Sequence, residues 1–149
     1  MIHVAKADPL SADSCTLIEA LSLTLAAITG SNGKHTFNID DLRDERALWV
    51  LARDAQGAAV GCGAIRPLSG ETAELKRMYA LHAGAGIGSG ILYYLEDAAR
   101  ALGYQEIKLE TRRVNQQAVS FYQKQGYVET ENYGVYVGRP EAVCFTKRL

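Results

Sequence analysis

The middle of the chain most constrains the fold, because it places one amphipathic helix between two strand-like runs. Apolar residues recur at spacings of three and four from Ile87 to Leu102 and stop before Gly103, which is typical of a helix that packs one face on a sheet. Strand-like runs precede and follow this segment at 73–81 and 106–111. Two strands joined by a crossover helix lie parallel in one sheet, with a right-handed connection. The sequence therefore predicts a mixed α/β sheet.

The remaining elements fill a chain of 149 residues, which is a common size for one domain. Further strands are predicted at 2–6, 47–53, 58–67, 127–131 and 143–146. Further helices are predicted from Asp8-Pro9 to Gly30, at 39–43 with Asn38 as the cap, and at 116–125 with Asn115 as the cap. The three strands at 47–53, 58–67 and 73–81 are expected to form an antiparallel meander.

Composition argues against several classes of partner. The chain carries 16 Lys and Arg residues against 17 Asp and Glu residues, a net charge of −1, so no broad positive field attracts nucleic acid. The longest unbroken apolar run, Ala47 to Ala52, is far too short for a membrane span, and we expect none. The first residues lack a basic start followed by a long apolar stretch, so we expect a cytoplasmic protein.

Cysteine and histidine spacing predicts neither a disulfide framework nor a metal site. The three cysteines are scattered and never form a C-x-x-C pair, so we interpret them as small core residues. They are Cys15, Cys62 and Cys144. The three histidines, His3, His35 and His82, have no metal-ligand spacing. We therefore expect no metal.

Four glycines lie between the central strand and the amphipathic helix, in Gly84-Ala85-Gly86-Ile87-Gly88-Ser89-Gly90. Glycines let the backbone approach a ligand closely, and the free N–H groups of a first helical turn favour an anion such as phosphate. The dinucleotide-binding pattern G-x-G-x-x-G does not fit, because Ser89 takes its third glycine position. A P-loop does not fit, because Ile91 and not Lys follows Gly90. The alternative to a phosphate loop is a tight turn without a ligand.

Three segments together resemble the GNAT superfamily of acyl-CoA-dependent N-acetyltransferases. They are Ala73 to Tyr79 leading into the glycine loop, Ile107 to Thr111, and Asn115 to Tyr127 with Ala118, Phe121 and Tyr122 inside it. The resemblance covers nearly the whole chain. It implies one GNAT domain over 1–149, an α/β (α+β) fold whose mixed, mostly antiparallel sheet has a central parallel strand pair and is flanked by helices.

The resemblance also implies how acetyl-CoA binds, in the gap where the strands at 73–81 and 106–111 diverge. Backbone groups of Met78, Tyr79 and Ala80 would hold the pantetheine arm as an added strand would. The pyrophosphate would bind to the loop residues Ala83, Gly84, Ala85, Gly86, Ile87, Gly88 and Ser89, and Asn115 and Tyr122 would complete the site. Ala83 replaces the Arg or Gln that usually begins the family motif. We therefore expect backbone amides alone to hold the pyrophosphate, and more weakly.

A base is needed, because an amine with a pKa near 10.4 is only about 0.1% neutral at pH 7.4. Glu74 is the candidate: the resemblance places its strand beside the thioester, and alternation puts Glu74, Lys76 and Met78 on one face. The alternative is a Glu that is only exposed or paired with Lys76 and Arg77, with Glu110 or a water molecule as the base.

Tyr122 occupies the position where the family commonly has a general-acid Tyr that protonates the leaving thiolate. The alternative is a core Tyr that packs beside Ala118 and Val119. The resemblance thus implies acetyl transfer to the primary amine of a small molecule, by direct attack in a ternary complex. A protein N-terminus or Lys as the acceptor, a CoA-binding module without turnover, and a homodimer all stay open.

Overall fold

The structure is a computed structural model that describes residues 2–32 and 37–149. The strands are β1 (His3–Lys6), β2 (Leu48–Arg53), β3 (Ala59–Pro67), β4 (Thr72–Ala80), β5 (Glu106–Arg112), β6 (Val128–Thr130) and β7 (Ala142–Arg148). The α-helices are α1 (Ala12–Thr29), α2 (Ile87–Ala101) and α3 (Gln116–Lys124). Two short 3₁₀ helices lie at Ile39–Arg43 and Gly134–Tyr136.

All seven strands belong to one sheet in the order β1-β2-β3-β4-β5-β7-β6. Neighbouring strands are antiparallel except β4 and β5, which are parallel and are joined by α2. The predicted mixed sheet, its meander and its central parallel pair are therefore confirmed.

The parallel pair is short, and β4 then bends away from β5. The ladder runs from Thr72 opposite Glu106 to Glu74 opposite Lys108 and ends there. Arg77 adopts a left-handed backbone with φ of 56°, and the register between β3 and β4 shifts at the same level. A β-bulge inserts one residue, bends the strand and reverses the side-chain alternation beyond it.

The bulge corrects one prediction about side-chain faces. Met78 does not share a face with Glu74 and Lys76, because the extra residue at Arg77 turns it to the face covered by α2. Tyr79 instead packs on the face covered by α1. Alternation predicts the faces of a strand only where its register is regular.

Each face of the sheet carries its own core. The core under α2 and α3 is the larger, and its buried members include Val50, Ile65, Leu75, Ile91, Leu95, Ile107, Leu109 and Phe145. The core under α1 comprises Leu17, Trp49, Leu51, Cys62 and Ala64. The two layers of helices hold the diverging strands in place from both sides.

Helix α1 is tied to the sheet by a buried arginine. Arg77 Nη2 donates to Ile18 O at 2.9 Å and to Ser22 Oγ at 2.6 Å. Among the described residues, α1 is the one helix that is long and apolar enough to cross a membrane, with a mean hydropathy of 1.3 and 22% of its residues buried. This helix contains no long unbroken apolar run, because Ser, Thr and Glu interrupt its apolar residues. The expected absence of a membrane span stays a prediction.

The two predicted asparagine caps are confirmed, whereas one cysteine prediction was wrong and one short helix was not predicted. Asn38 and Asn115 cap their helices by accepting from Asp40 N and Ala118 N. Cys15 lies exposed on α1, so reading it as a core residue was wrong: only one stripe of a surface helix faces the sheet. The 3₁₀ helix Gly134–Tyr136 had no counterpart in the predicted elements.

Candidate active site

A cavity of about 590 Å³ lies where β4 and β5 diverge, a volume typical of small-molecule and cofactor sites. Its lining comes from β4, the loop before α2, β5, α3 and the second half of α1. Most of the predicted CoA contacts line it: Met78, Tyr79, Ala80, Ala83, Gly84, Gly86, Ile87, Gly88, Asn115 and Tyr122. Ala85, Ser89 and Glu74 are not among the lining residues.

The glycine loop ends in a helix start that is open to an anion. Gly84 and Gly86 have φ of 76° and 77°, a left-handed conformation that glycine adopts without strain. A Cβ at either position would meet nothing within 4 Å, so both face open space. In the described structure no side chain caps α2 and no acidic residue stands in its first turn. The N–H groups of that turn can therefore bind a phosphate.

A lysine at the end of α3 lines the same cavity as the glycine loop. Gln125 Nε2 donates to Ser89 Oγ at 3.1 Å, which fixes the end of α3 beside the first turn of α2. Lys124, one residue earlier, lines the cavity, as does His82. The family motif has its cation inside the loop, so sequence spacing held no signal for a cation on α3.

Tyr122 both packs in the core and lines the cavity. Its side chain makes edge-to-face contacts with Phe121 and Tyr127, with ring centroids 5.2 Å and 5.8 Å apart. Burial raises the pKa of its hydroxyl. Within 2–32 and 37–149 that hydroxyl has no hydrogen-bond partner. The hydroxyl therefore stays protonated and is available to a ligand.

Glu74 is held by two hydrogen bonds away from the cavity. Its side chain is only 4% exposed. Its Oε1 accepts from Arg66 Nε at 3.0 Å, and its Oε2 accepts from Tyr133 Oη at 2.6 Å. Glu74 and Arg66 instead line a second, more open depression together with Asp41. The geometry matches the ion-paired alternative, with Arg66 as the partner.

Glu110 is the carboxylate that the structure brings into the cavity. Its side chain is 12% exposed, and Arg112 Nε lies 3.4 Å from Oε2 as an ion pair. Oε2 is buried and accepts no hydrogen bond from the described residues. Burial raises the pKa of Glu110, and Arg112 and Lys76 oppose that shift. A partly desolvated carboxylate with a raised pKa is suited to accept a proton.

Lys76 and Tyr136 complete the polar floor of the cavity. Lys76 Nζ donates to Tyr136 Oη at 2.9 Å. Burial lowers the pKa of Lys76, while the nearby Glu74 and Glu110 raise it. Tyr136 comes from the unpredicted 3₁₀ helix, and its ring packs edge-on against Tyr133 at 5.5 Å. A segment this short has no periodicity, so its role was not readable from the sequence.

No metal site is evident in the described part of the chain. Within 2–32 and 37–149, no group of three or more His, Cys, Asp or Glu side chains lies close enough to hold an ion. His3 lies in β1 and His82 at the cavity, and His35 lies outside the described residues. The expectation of no metal stays a prediction.

Comparison with known proteins gives matches along most of the chain. Residues 18–127 match the family described as the Acetyltransferase (GNAT) family. An IAA acetyltransferase of Azospirillum brasilense is 30% identical over 151 residues, which cover 99% of this chain and 98% of that protein. A crystal structure from Klebsiella pneumoniae, assigned to the acyl-CoA N-acyltransferases, superposes with a TM-score of 0.86 at 28% identity over 100% of this chain and 98% of that one. The PaiA N-acetyltransferase of Thermoplasma acidophilum, in complex with coenzyme A, shares the fold with a TM-score of 0.72 at 20% identity, over 100% and 99% of the two chains.

Proposed function

Because the chain belongs to the GNAT family and is an acetyl-CoA-dependent acyltransferase, we propose that it acetylates the primary amine of a small molecule by direct attack in a ternary complex. One observation carries the proposal. A single cavity contains an uncapped helix start, a protonated Tyr122 hydroxyl and the Glu110 carboxylate. These groups suit phosphate binding, proton donation and proton acceptance in one site.

Acetyl-CoA binding is proposed to use the loop and the diverging strands. The first-turn N–H groups of α2 would hold the pyrophosphate, and Lys124 would add the cation that Ala83 does not supply. The backbone of β4 from Met78 to Ala80 has no partner in β5, since the ladder has already ended. The amide groups of the pantetheine arm can pair with these free backbone groups as an added strand does.

Glu110 is proposed as the base that receives the proton of the amine. The amine nitrogen forms a bond to the acetyl carbonyl carbon, the C–S bond breaks, and the amine proton passes to Glu110 directly or through one water molecule. Its cavity position and its Oε2, which accepts no hydrogen bond from the described residues, support this role. The earlier candidate, Glu74, would first have to release Arg66 or Tyr133. The role of Glu74 as the base remains a prediction, which the Glu74→Gln and Glu110→Gln variants test.

Tyr122 is proposed to give its proton to the leaving thiolate. Its hydroxyl is bound to no described residue and belongs to α3, which α2 and the core fix in place. Burial keeps the hydroxyl protonated, since the raised pKa disfavours the phenolate. Proton donation to a leaving group typically contributes about 10²- to 10⁴-fold in rate.

A thiol-release screen with acetyl-CoA tests the proposed function. The panel contains small amines, amino acids, polyamines, aminoglycosides, peptides with free N-termini and Lys-containing peptides. We expect free CoA thiol to appear with one class of small amine, and the acetylated product to be confirmed by mass spectrometry. Faster turnover with peptides would overturn the small-molecule acceptor. Binding of acetyl-CoA without thiol release on any amine would instead support a module without turnover.

A further inference from the structure

We propose that the acceptor is an α-amino acid with an apolar side chain, whose carboxylate pairs with Lys76 while its amine meets Glu110. The inference rests on the proposed function and names the substrate class of the same site. It is drawn from the apolar wall of the cavity, its charges, and the positions of the two side chains at the divergence of β4 and β5.

The acceptor side of the cavity has an apolar wall. The second half of α1 contributes Leu21, Leu25 and Ile28 to the lining, interrupted by the small polar side chains of Thr24 and Thr29. Ile28 is 43% exposed, so part of this wall is in contact with water when no acceptor covers it. Covering such a surface with an apolar group is favourable by roughly 25 cal/mol per Å². The wall therefore fits an apolar body and offers no carboxylate to a second amine.

The charges of the cavity are unbalanced towards the positive sign. Glu110 is the one carboxylate among the described lining residues, whereas Lys76, Arg77, Arg112 and Lys124 are cationic. Arg77 is bound to α1 through its guanidinium, and Lys124 is the cation proposed above to pair with the pyrophosphate. Lys76 and Arg112 are the lining cations whose charges act on Glu110. An acceptor with several positive charges meets repulsion here, and an acceptor with a negative group meets attraction.

Lys76 and Glu110 face one another across the opening between the strands. The last ladder pair joins Glu74 and Lys108, and each of the two side chains lies two residues beyond it on its own strand. Two residues is one full period of a strand, so both side chains point to the same face of the sheet. The ammonium and carboxylate of an α-amino acid are separated by a single carbon atom. The ammonium of the amino acid is opposite in charge to Glu110, and its carboxylate is opposite in charge to Lys76.

Lys76 and Arg112 both line the cavity, and we assign the carboxylate to Lys76 because it lies level with Glu110, two residues beyond the last ladder pair. Lys76 Nζ donates to the Tyr136 hydroxyl at 2.9 Å, and Tyr136 also lines the cavity. Burial lowers the pKa of Lys76, and an anion beside it would offset that loss.

The experiment compares acceptors that differ in charge and little in shape. L-phenylalanine, L-phenylalaninamide, phenethylamine and spermidine are assayed by thiol release with the intact protein, and kcat/KM is expressed per neutral amine. We expect the acid to exceed the amide by about tenfold or more, because a charge-assisted hydrogen bond is lost in the amide. In Lys76→Met the ratio should fall to near one. The matched control is Lys108→Met, which removes a cation on the same sheet face that lies over the Tyr133 ring outside the cavity; its ratio should equal that of the unmodified chain.

Three results overturn the inference. They are an amide or spermidine that is turned over as fast as the acid, an acid preference that survives in Lys76→Met, and turnover confined to amines without a carboxylate. Each leaves acetyl transfer itself intact. Failure of the proposed function is a different result, since no amine in the wider screen would then release thiol while acetyl-CoA still bound. Circular dichroism of both variants shows that a changed ratio does not come from misfolding.

Discussion

Glu110 is the residue at which the demands of folding and chemistry oppose each other. Burial raises its pKa in the folded state, so the folded protein holds the proton more tightly than the unfolded chain does. A group with a raised folded pKa contributes stability that is present below its unfolded pKa and is lost as pH rises through its folded pKa. At neutral pH the charged Glu110 is therefore a cost to folding.

Glu110→Gln should accordingly separate stability from activity. The Tm at pH 7 should stay equal or rise by roughly 2–4 °C, which is the shift for about 1 kcal/mol in a domain of this size, and the gain should vanish near pH 4. Turnover at pH 7 should fall about 10²- to 10⁴-fold and recover in part at high pH, where more amine is neutral. In the unmodified chain, kcat/KM should fall as pH drops through the raised pKa of Glu110. Differential scanning fluorimetry and thiol-release rates over the same pH series measure these effects.

Glu74→Gln is the matched comparison for that variant. It removes a buried charge paired with Arg66 and weakens the acceptor of the Tyr133 hydroxyl. Loss of one partner of a buried pair typically costs several kcal/mol, so Tm should fall while the folded fraction keeps its kcat. The opposite pattern, with turnover lost in Glu74→Gln and kept in Glu110→Gln, would assign the base to Glu74.

Tyr122→Phe tests the acid without disturbing the core. The ring keeps its contacts with Phe121 and Tyr127, and the hydroxyl leaves no described partner unpaired, so Tm should change little. Turnover should fall about 10²-fold or more while the KM for acetyl-CoA changes much less. Full activity in this variant would exclude Tyr122 as the general acid. A large loss of stability at unchanged kcat would assign it to packing.

At the scale of elements, β3 allows α2 to approach the sheet because it carries glycine beneath the helix. A Cβ on Gly61 would lie 2.7 Å from Ile87 Cγ2 and 2.8 Å from Tyr79 O. The second contact is backbone and cannot move aside. The close packing of α2 on β3 also sets where the first turn of the helix meets the cavity.

Gly61→Ala should therefore destabilise the fold. Overpacking of this kind costs about 1–3 kcal/mol, or roughly 3–10 °C in Tm. The control is Gly70→Ala, since a Cβ at that position meets nothing within 4 Å and the backbone is not left-handed. Chemical denaturation of both variants measures the difference. Equal stability of the two would show that α2 can shift away from the sheet at little cost.

Sequence patterns predicted the elements with strong periodicity and missed the features that depend on register. The stripe from Ile87 to Leu102 required a helix, and its place between two strands required a parallel pair. The bulge at Arg77 had no signal, because a non-glycine residue with positive φ is imposed by neighbouring strands. That bulge decides the face of Met78 and the divergence of β4 from β5.

At the candidate site, too, the residues that depend on strand register were not predicted. The loop and Tyr122, which line the cavity, were predicted because their residue types stand in a local motif. Arg66, Tyr133 and Tyr136 were missed, because they meet β4 only through the antiparallel register with β3 and through the segment that follows β6. Without that register, Glu74 was the predicted base and Glu110 was kept only as the alternative.

At the scale of the whole molecule, acetyl-CoA should act as a stabilising ligand. A ligand that binds only the folded state adds about 2.7 kcal/mol at 100 times its Kd, so Tm should rise by roughly 5–10 °C. NAD and ATP should raise Tm much less, because neither carries a pantetheine arm for the gap. Thermal scans over a concentration series up to millimolar measure the shift. A clear shift with NAD and none with acetyl-CoA would refute the assignment of the glycine loop.

The short ladder between β4 and β5 also determines how the sheet deforms. Beyond Glu74 and Lys108, strands β1 to β4 and strands β5 to β7 are two plates joined only along a narrow seam and by the helices on either side. Amide protons of β4 beyond the seam lack a partner in β5, so in the free protein they should exchange with solvent faster than those of the seam. A pantetheine arm seated between the plates would act as a splice, and bending of one half against the other would then require breaking its hydrogen bonds.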